Sequence, residues 1–140
     1  MIYILSDYFD GAGDDKMKAS DLMHERSIAL ADCNNFFVSC ERRADNSLDC
    51  RPVVVLSSND GCVISRSNEV KKMGVKMGDP YFKIRNMLAF NGVAVRSTNM
   101  SLYREISAEV MSRIRLYTDA VEIYSIDESF FNMAISNIKD

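Results

Sequence analysis

The sequence contains one histidine, His24, and its four cysteines, Cys33, Cys40, Cys50 and Cys62, form no C-x-x-C pair. Zinc sites draw on closely spaced Cys and His ligands, so this chain reads poorly as a zinc protein. Its thiols read instead as reduced, buried or incidental. No apolar run approaches the ~20 residues that cross a bilayer. The opening MIYILSDYFDGAGDD lacks the basic start and longer apolar stretch of a secretory signal. A cytoplasmic protein without a membrane partner is expected. What is present is ordinary for a soluble fold: 140 residues, 47% hydrophobic and 26% charged, one domain's worth of chain or a piece of something larger.

Charge is unevenly spread. Residues 1–27 carry three basic and six acidic side chains, whereas residues 28–140 carry fourteen of each. The stretch FDGAGDDK reads as a flexible acidic loop, and residues 6–27 show no strand alternation. The ordered domain is expected to begin near Ser27. From there SIALADC reads as a strand, followed by a short helix to about Arg43, capped by Asn34 or Asn35. ADNSLDCR is loop, PVVVLS a buried strand opened by Pro52, SNDG a turn and CVISR a second strand. SNEVKKMG and YFKIRNMLAFNG read as short helices, the first capped by Ser67 and ended by Gly74, the second ended by Asn91 and Gly92.

VAVRS is a further strand. Tyr103, Ile106, Val110, Ile114 and Tyr117 recur at helical spacing and predict a helix over about 99–117 with one apolar stripe. Met73, Met77, Met87 and Met111 are expected to fill gaps in the core, and Gly74 and Gly78 to serve turns. VEIYSIDESFFNM gives two strands around an acidic turn. The order is β-α-β-β-α-α-β-α-β-β, an α+β pattern with helices over one sheet face.

Two places put acids at the edge of an apolar strand: Asp32, and Asp127 with Glu128. Burying a carboxylate is costly unless a cation offsets it, and three together repel. A pair of Mg²⁺ ions resolves that repulsion with hard oxygen ligands, and it supplies a phosphate-handling centre. The plainer alternative stays open: an Asp after a strand is often a turn or cap residue, and an Asp-Glu turn is often solvated. Neutralising these three acids would leave residues 28–140 net positive, which permits nucleic-acid binding without demanding it.

Four blocks carry a family resemblance: LADCNNFFVSCE, PVVVLSSNDGCVISRSNEVKKMGVKMGDPYFK, SLYREIS and VEIYSIDESFFNM. Together, from about Ile28 to Met133, they resemble the Y-family translesion DNA polymerases, and the middle block resembles the UmuC branch in particular. The resemblance implies a partial polymerase palm, with a mixed, mostly antiparallel sheet, over 28–35 and 97–140. It implies small fingers over 36–96. Asp32, Asp127 and Glu128 match the catalytic metal-binding acids, and Cys33 matches a position that offers its backbone carbonyl to metal. Phe37 matches the steric gate that lies against the sugar of the incoming nucleotide; Phe36 is expected to pack. The amides of Asn34, Asn35, Phe36 and Phe37 match a triphosphate cradle at a helix start. Ser65 and Lys71 match triphosphate contacts, although the bare reading of Lys71 and Lys72 is a solvated helix face. Asn68 stands where many relatives carry tyrosine.

The implied activity is error-prone, SOS-type translesion synthesis. In that reaction a dNTP is joined to a primer 3′-hydroxyl on template DNA with two Mg²⁺ ions. A UmuD-like subunit, a recombinase filament and a sliding clamp are the implied partners. A non-catalytic remnant that binds DNA or a polymerase or recombinase partner is the alternative. A nucleotidyl cyclase is disfavoured because the hairpin reads SIDES, without the Gly-Gly-acid-Glu-Phe turn. Residues 1–27 match nothing in the resemblance and read as a flexible extension, with Met17 and Met23 as alternative starts. The resemblance also implies that later palm, thumb and little-finger regions are lacking here. A chain ending at Asp140 is then expected to leave a sheet edge bare and to polymerise weakly by itself.

Overall fold

A computed structural model describes residues 2–4, 26–118 and 120–134, and among the described residues no helix is long and apolar enough to cross a membrane. The acidic loop, His24, Met17 and Met23 lie outside the described residues. In chain order the elements are β1 (Ile2–Ile4), β2 (Arg26–Asp32), α1 (Phe36–Ala44), β3 (Val53–Leu56), β4 (Val63–Arg66), α2 (Asn68–Lys72), α3 (Tyr81–Phe90), β5 (Ala94–Ser97), α4 (Met100–Ile114), β6 (Val121–Ile123) and β7 (Glu128–Ala134). The class is α+β, as the strand and helix signals predict. Two compact units share the chain: residues 1–33 with 107–140, and residues 34–106.

The first unit carries an antiparallel sheet in the order β1-β2-β7-β6. The second carries β4-β3-β5, with β3 antiparallel to β4 and parallel to β5. The sequence pattern suggests one sheet, and the structure has two. β2 and β7 each have a neighbour on both sides within their own sheet, and β3 has both of its edges taken by β4 and β5.

β1 corrects a second expectation. Residues 2–4 are not a loose appendage; they pair antiparallel with β2, Ile2 opposite Ala31 and Ile4 opposite Ala29. Ile-Tyr-Ile has high strand propensity, but three residues are too few to show alternation. β2 also begins one residue earlier than Ser27, at Arg26.

The second unit is built around β3, whose four residues are all buried. A central strand covered on both faces reads as a continuous apolar run, and VVVL does. Val54 and Leu56 pack with Val63, Val70, Val75, Leu88 and Val93, and Tyr81, Ile84, Met87 and Val95 close the cluster. Each such side chain contributes roughly 1.5–3 kcal/mol when fully buried. The segment read as loop after α1 includes a 3₁₀ turn, Asn46–Leu48, where the Asp45 carboxylate accepts the Ser47 N–H at 2.9 Å. That turn delivers Leu48 into the interior.

α3 stops as its sequence predicts. Gly92 takes φ +64°, the Gly92 N–H reaches the Ala89 carbonyl, and the Val93 N–H reaches Leu88 at 3.0 Å. These bonds satisfy the end of the helix while Leu88 and Val93 meet in the core. α4 starts as predicted, with the Asn99 carboxamide accepting the Leu102 N–H at 3.2 Å. It ends at Ile114, so Tyr117 falls beyond the helix and is 86% exposed, outside the stripe that the periodicity assigned it to. The buried line on α4 is Tyr103, Ser107 and Met111, at spacings of four. Met111 and Met87 pack inward, but Met73 and Met77 do not; Met77 is 59% exposed because it sits in the turn after α2 rather than on an element's inner face.

Candidate active site

The carboxylates lie in the first unit. β2 runs out at Asp32 and β7 starts at Glu128, and the register makes these two residues direct partners. Directly opposed residues share one face of a sheet. Asp127 immediately precedes Glu128, and its carbonyl accepts the Cys33 N–H at 3.0 Å, which ties the end of β2 to the turn. The N–H groups of Tyr124 and Ser125 both reach the Glu128 carbonyl at 3.1 Å and close the β6–β7 hairpin tightly. All of Asp32, Cys33, Asp127 and Glu128 are half-buried.

Ser125 organises the two acids of the hairpin. Its hydroxyl lies 2.8 Å from Asp127 Oδ1 and 3.2 Å from Glu128 Oε2, and it can donate to one at a time. The sequence does not mark this serine as functional, although a hydroxyl two residues before an aspartate is a recognisable turn signal. Burial raises the Cys33 thiol above its ordinary value, and the negative charges of Asp127 and Asp32 add to that rise. Among the described residues, no three His, Cys, Asp or Glu side chains close into a ready metal-holding group. Asp32, Asp127 and Glu128 lie at one end of the β2–β7 pair and offer hard oxygen donors, the chemistry that Mg²⁺ prefers. Further along the same strands, two to four register positions from the Asp32–Glu128 rung, Ile28, Val121, Phe130 and Asn132 help to line an open depression of about 280 Å³.

The remaining candidates lie in the second unit. Asn35 precedes α1 in the left-handed region, φ 53°, and makes no side-chain cap bond. Its carboxamide instead donates to Asn68 Oδ1 at 3.1 Å, so Asn68 is engaged with the start of α1. Asn34 is exposed just ahead of it. The N–H groups of the first turn of a helix have no acceptor within the helix. Phe36 is buried, as expected of a packing residue, while Phe37 is half-buried. The Phe37 ring stacks on Tyr103 with centroids 4.6 Å apart and planes 24° apart. Ser65 is only 6% exposed, because β4 alternates and turns Val63 and Ser65 inward. Lys71 is exposed on α2.

Comparison with known proteins adds to this geometry. The model of the impB/mucB/samB family matches residues 31–138. UmuC of Salmonella typhimurium is 45% identical over 114 residues, covering 81% of this chain and 27% of that protein. DNA polymerase IV of Staphylococcus aureus (strain bovine RF122 / ET3-1) is 38% identical over 113 residues, covering 79% of this chain and 34% of that protein. A solved Y-family DNA polymerase chimera superposes with a TM-score of 0.66 at 25% identity, over 74% of this chain and 31% of that one. The chain thus spans about a quarter to a third of the length of the proteins it matches.

Proposed function

From the premise that this chain belongs to the impB/mucB/samB family, we propose that it carries the catalytic carboxylates and fingers of a translesion DNA polymerase. The reaction is nucleotidyl transfer from a dNTP to a primer 3′-hydroxyl on damaged template. The observation that carries this reading is the Asp32–Glu128 rung, with Asp127 beside it and Ser125 holding the hairpin acids. Asp32, Asp127 and Glu128 are assigned as ligands, with the Cys33 carbonyl as a fourth oxygen. Two Mg²⁺ ions, when bound, supply activation of the attacking hydroxyl and compensation of charge on the phosphoryl group. Ser125 steers the Asp127 and Glu128 carboxylates toward one another.

In the second unit, the first-turn amides of α1 and the Lys71 ammonium are assigned to the triphosphate. Lys71 acts as a point charge rather than a bidentate fork. Ser65, being buried, is assigned to shaping β4 from within. Phe37 presents its ring to the sugar and leaves no room for a 2′-hydroxyl. A UmuD-like subunit, a recombinase filament and a sliding clamp are the partners proposed for the full-length enzyme, acting in the cytoplasm.

A divalent-cation titration tests the reading. Mn²⁺ added to the chain is expected to broaden NMR signals around Asp32, Ser125 and Glu128. Ser125→Ala is expected to weaken binding by roughly 10–100-fold, as loss of a group that orients a ligand does. Asp127→Asn is expected to weaken it further. Broadening centred elsewhere, or untouched by Asp127→Asn, overturns the assignment. One observation favours a second reading, a non-catalytic module for DNA or a polymerase or recombinase partner: the acids do not close into a ready cluster among the described residues.

A further inference from the structure

Within the second unit, one buried polar contact is not used by the reading above. Glu41, on α1, is 8% exposed, and its Oε1 accepts the Tyr103 hydroxyl at 2.6 Å. Tyr103, on α4, is wholly buried. The same tyrosine ring stacks on Phe37. Phe37 and Glu41 are four apart on α1 and therefore share a face. One helix thus grips Tyr103 twice, its ring through Phe37 and its hydroxyl through Glu41.

A carboxylate at this depth is expensive, and an apolar pair of the same volume would pack the site at least as stably. Its distinct contribution is direction: a short bond to a single oxygen fixes where the phenol points, and through the stack it fixes the ring on which Phe37 rests. Burial first, and the Glu41 bond second, raise the Tyr103 phenol well above its ordinary range, so the hydroxyl remains a donor at neutral pH. Rigidity matters for the task assigned to Phe37. An apolar pocket rejects an added hydroxyl weakly if its wall can yield, so rejection of a 2′-hydroxyl depends on a ring that cannot shift.

We propose that Glu41 is a positioning residue for sugar selection: by holding the Tyr103 hydroxyl it stiffens the aromatic wall behind Phe37 and so excludes ribonucleotides. This rests on the assignment of Phe37 to the nucleotide sugar. Neither Glu41 nor Tyr103 touches the nucleotide; both act through the Phe37 ring.

The test is calorimetric binding of dATP and of ATP to the full chain with Mg²⁺, for wild type and four variants. Tyr103→Phe keeps the stack and deletes the bond; Glu41→Met deletes it from the other side. Both are expected to lower the deoxy-over-ribo affinity ratio by roughly tenfold, as displacement of a positioning group by a fraction of an ångström does. The change should come from improved ATP binding, with dATP affinity within about twofold of wild type, since specificity is a difference of affinities. Loss of structure alone would weaken both ligands together. Glu41→Gln retains an acceptor oxygen and is expected to restore the ratio. Circular dichroism identifies folded variants, and Tyr103→Phe carries the test if Glu41→Met does not fold. If Phe37→Ala collapses the ratio while Tyr103→Phe and Glu41→Met leave it intact, the role of Glu41 is refuted and that of Phe37 stands. If Phe37→Ala has no effect, or the wild-type chain binds neither nucleotide, both assignments fall.

Discussion

The two units bury different things. In residues 34–106 a whole strand, Val53–Leu56, is sealed, and Leu48, Leu88 and Tyr103 have no accessible surface to speak of. In the sheet of the other unit, among the described side chains, only Ala29, Ser129 and Phe131 are buried, while Ile28 and Ile123 are each 48% exposed. The acids sit on the half-covered sheet, and the dense core sits with the residues assigned to nucleotide selection. A cation centre needs access and tolerates a thinly covered sheet. A wall that discriminates by shape needs packing on its far side.

The largest expected effect probes that contrast in packing. Leu88→Ala should cost about 2–5 kcal/mol in urea unfolding, because the surrounding valines cannot collapse fully into the space. Ile28→Ala, on the open sheet, should cost under about 1 kcal/mol, since half of that side chain already faces water. Equal costs would show that the two units are packed alike.

An intermediate effect appears at high pH and separates the buried phenol from ordinary tyrosines. The Tyr103 pKa is raised in the folded chain above its usual 10.0, chiefly by burial and then by the bond to Glu41. Above about pH 10 the unfolded chain releases this proton while the folded chain keeps it, so stability falls as pH rises. The stabilisation is whole below pH 10 and is lost upward from there, at up to about 1.4 kcal/mol per pH unit. In Tyr103→Phe this slope should flatten. An unchanged slope in unfolding measured between pH 9 and 11 would show that other groups dominate.

Smallest of the three is Ser129→Ala. The Ser129 hydroxyl is fully buried on β7 without a hydrogen-bond partner. Removing an unsatisfied buried group should be neutral or stabilising by up to about 1 kcal/mol. A clear loss of thermal stability would refute this and show that the hydroxyl supports the sheet.

Local chemistry made much of this fold legible. Asn91 and Gly92 announced the end of α3, and the apolar run VVVL a buried strand, because each signal acts within a few residues. The partition of strands into two sheets was not legible, since it depends on which edges are already satisfied. Nor was the exposure of Tyr117 and Met77: a periodic pattern continues on paper after the helix has stopped. At the candidate site, Asp32, Asp127 and Glu128 stood out because each lies at the edge of an apolar strand and each falls in a block that carries the resemblance. Ser125 and Glu41 did not stand out. Their roles arise from single hydrogen bonds, one of which joins positions 62 residues apart.

The short strand β1 has a practical corollary. Because Ile2 faces Ala31, sequence joined ahead of the first strand sets out from the neighbourhood of the acidic tip. Affinity tags or fusion partners at the amino end would crowd the proposed cation site, and trimming residues 1–25 would strip β2 of its pairing with β1. The amino terminus is thus a poor place for handles and a sensitive place for deletions.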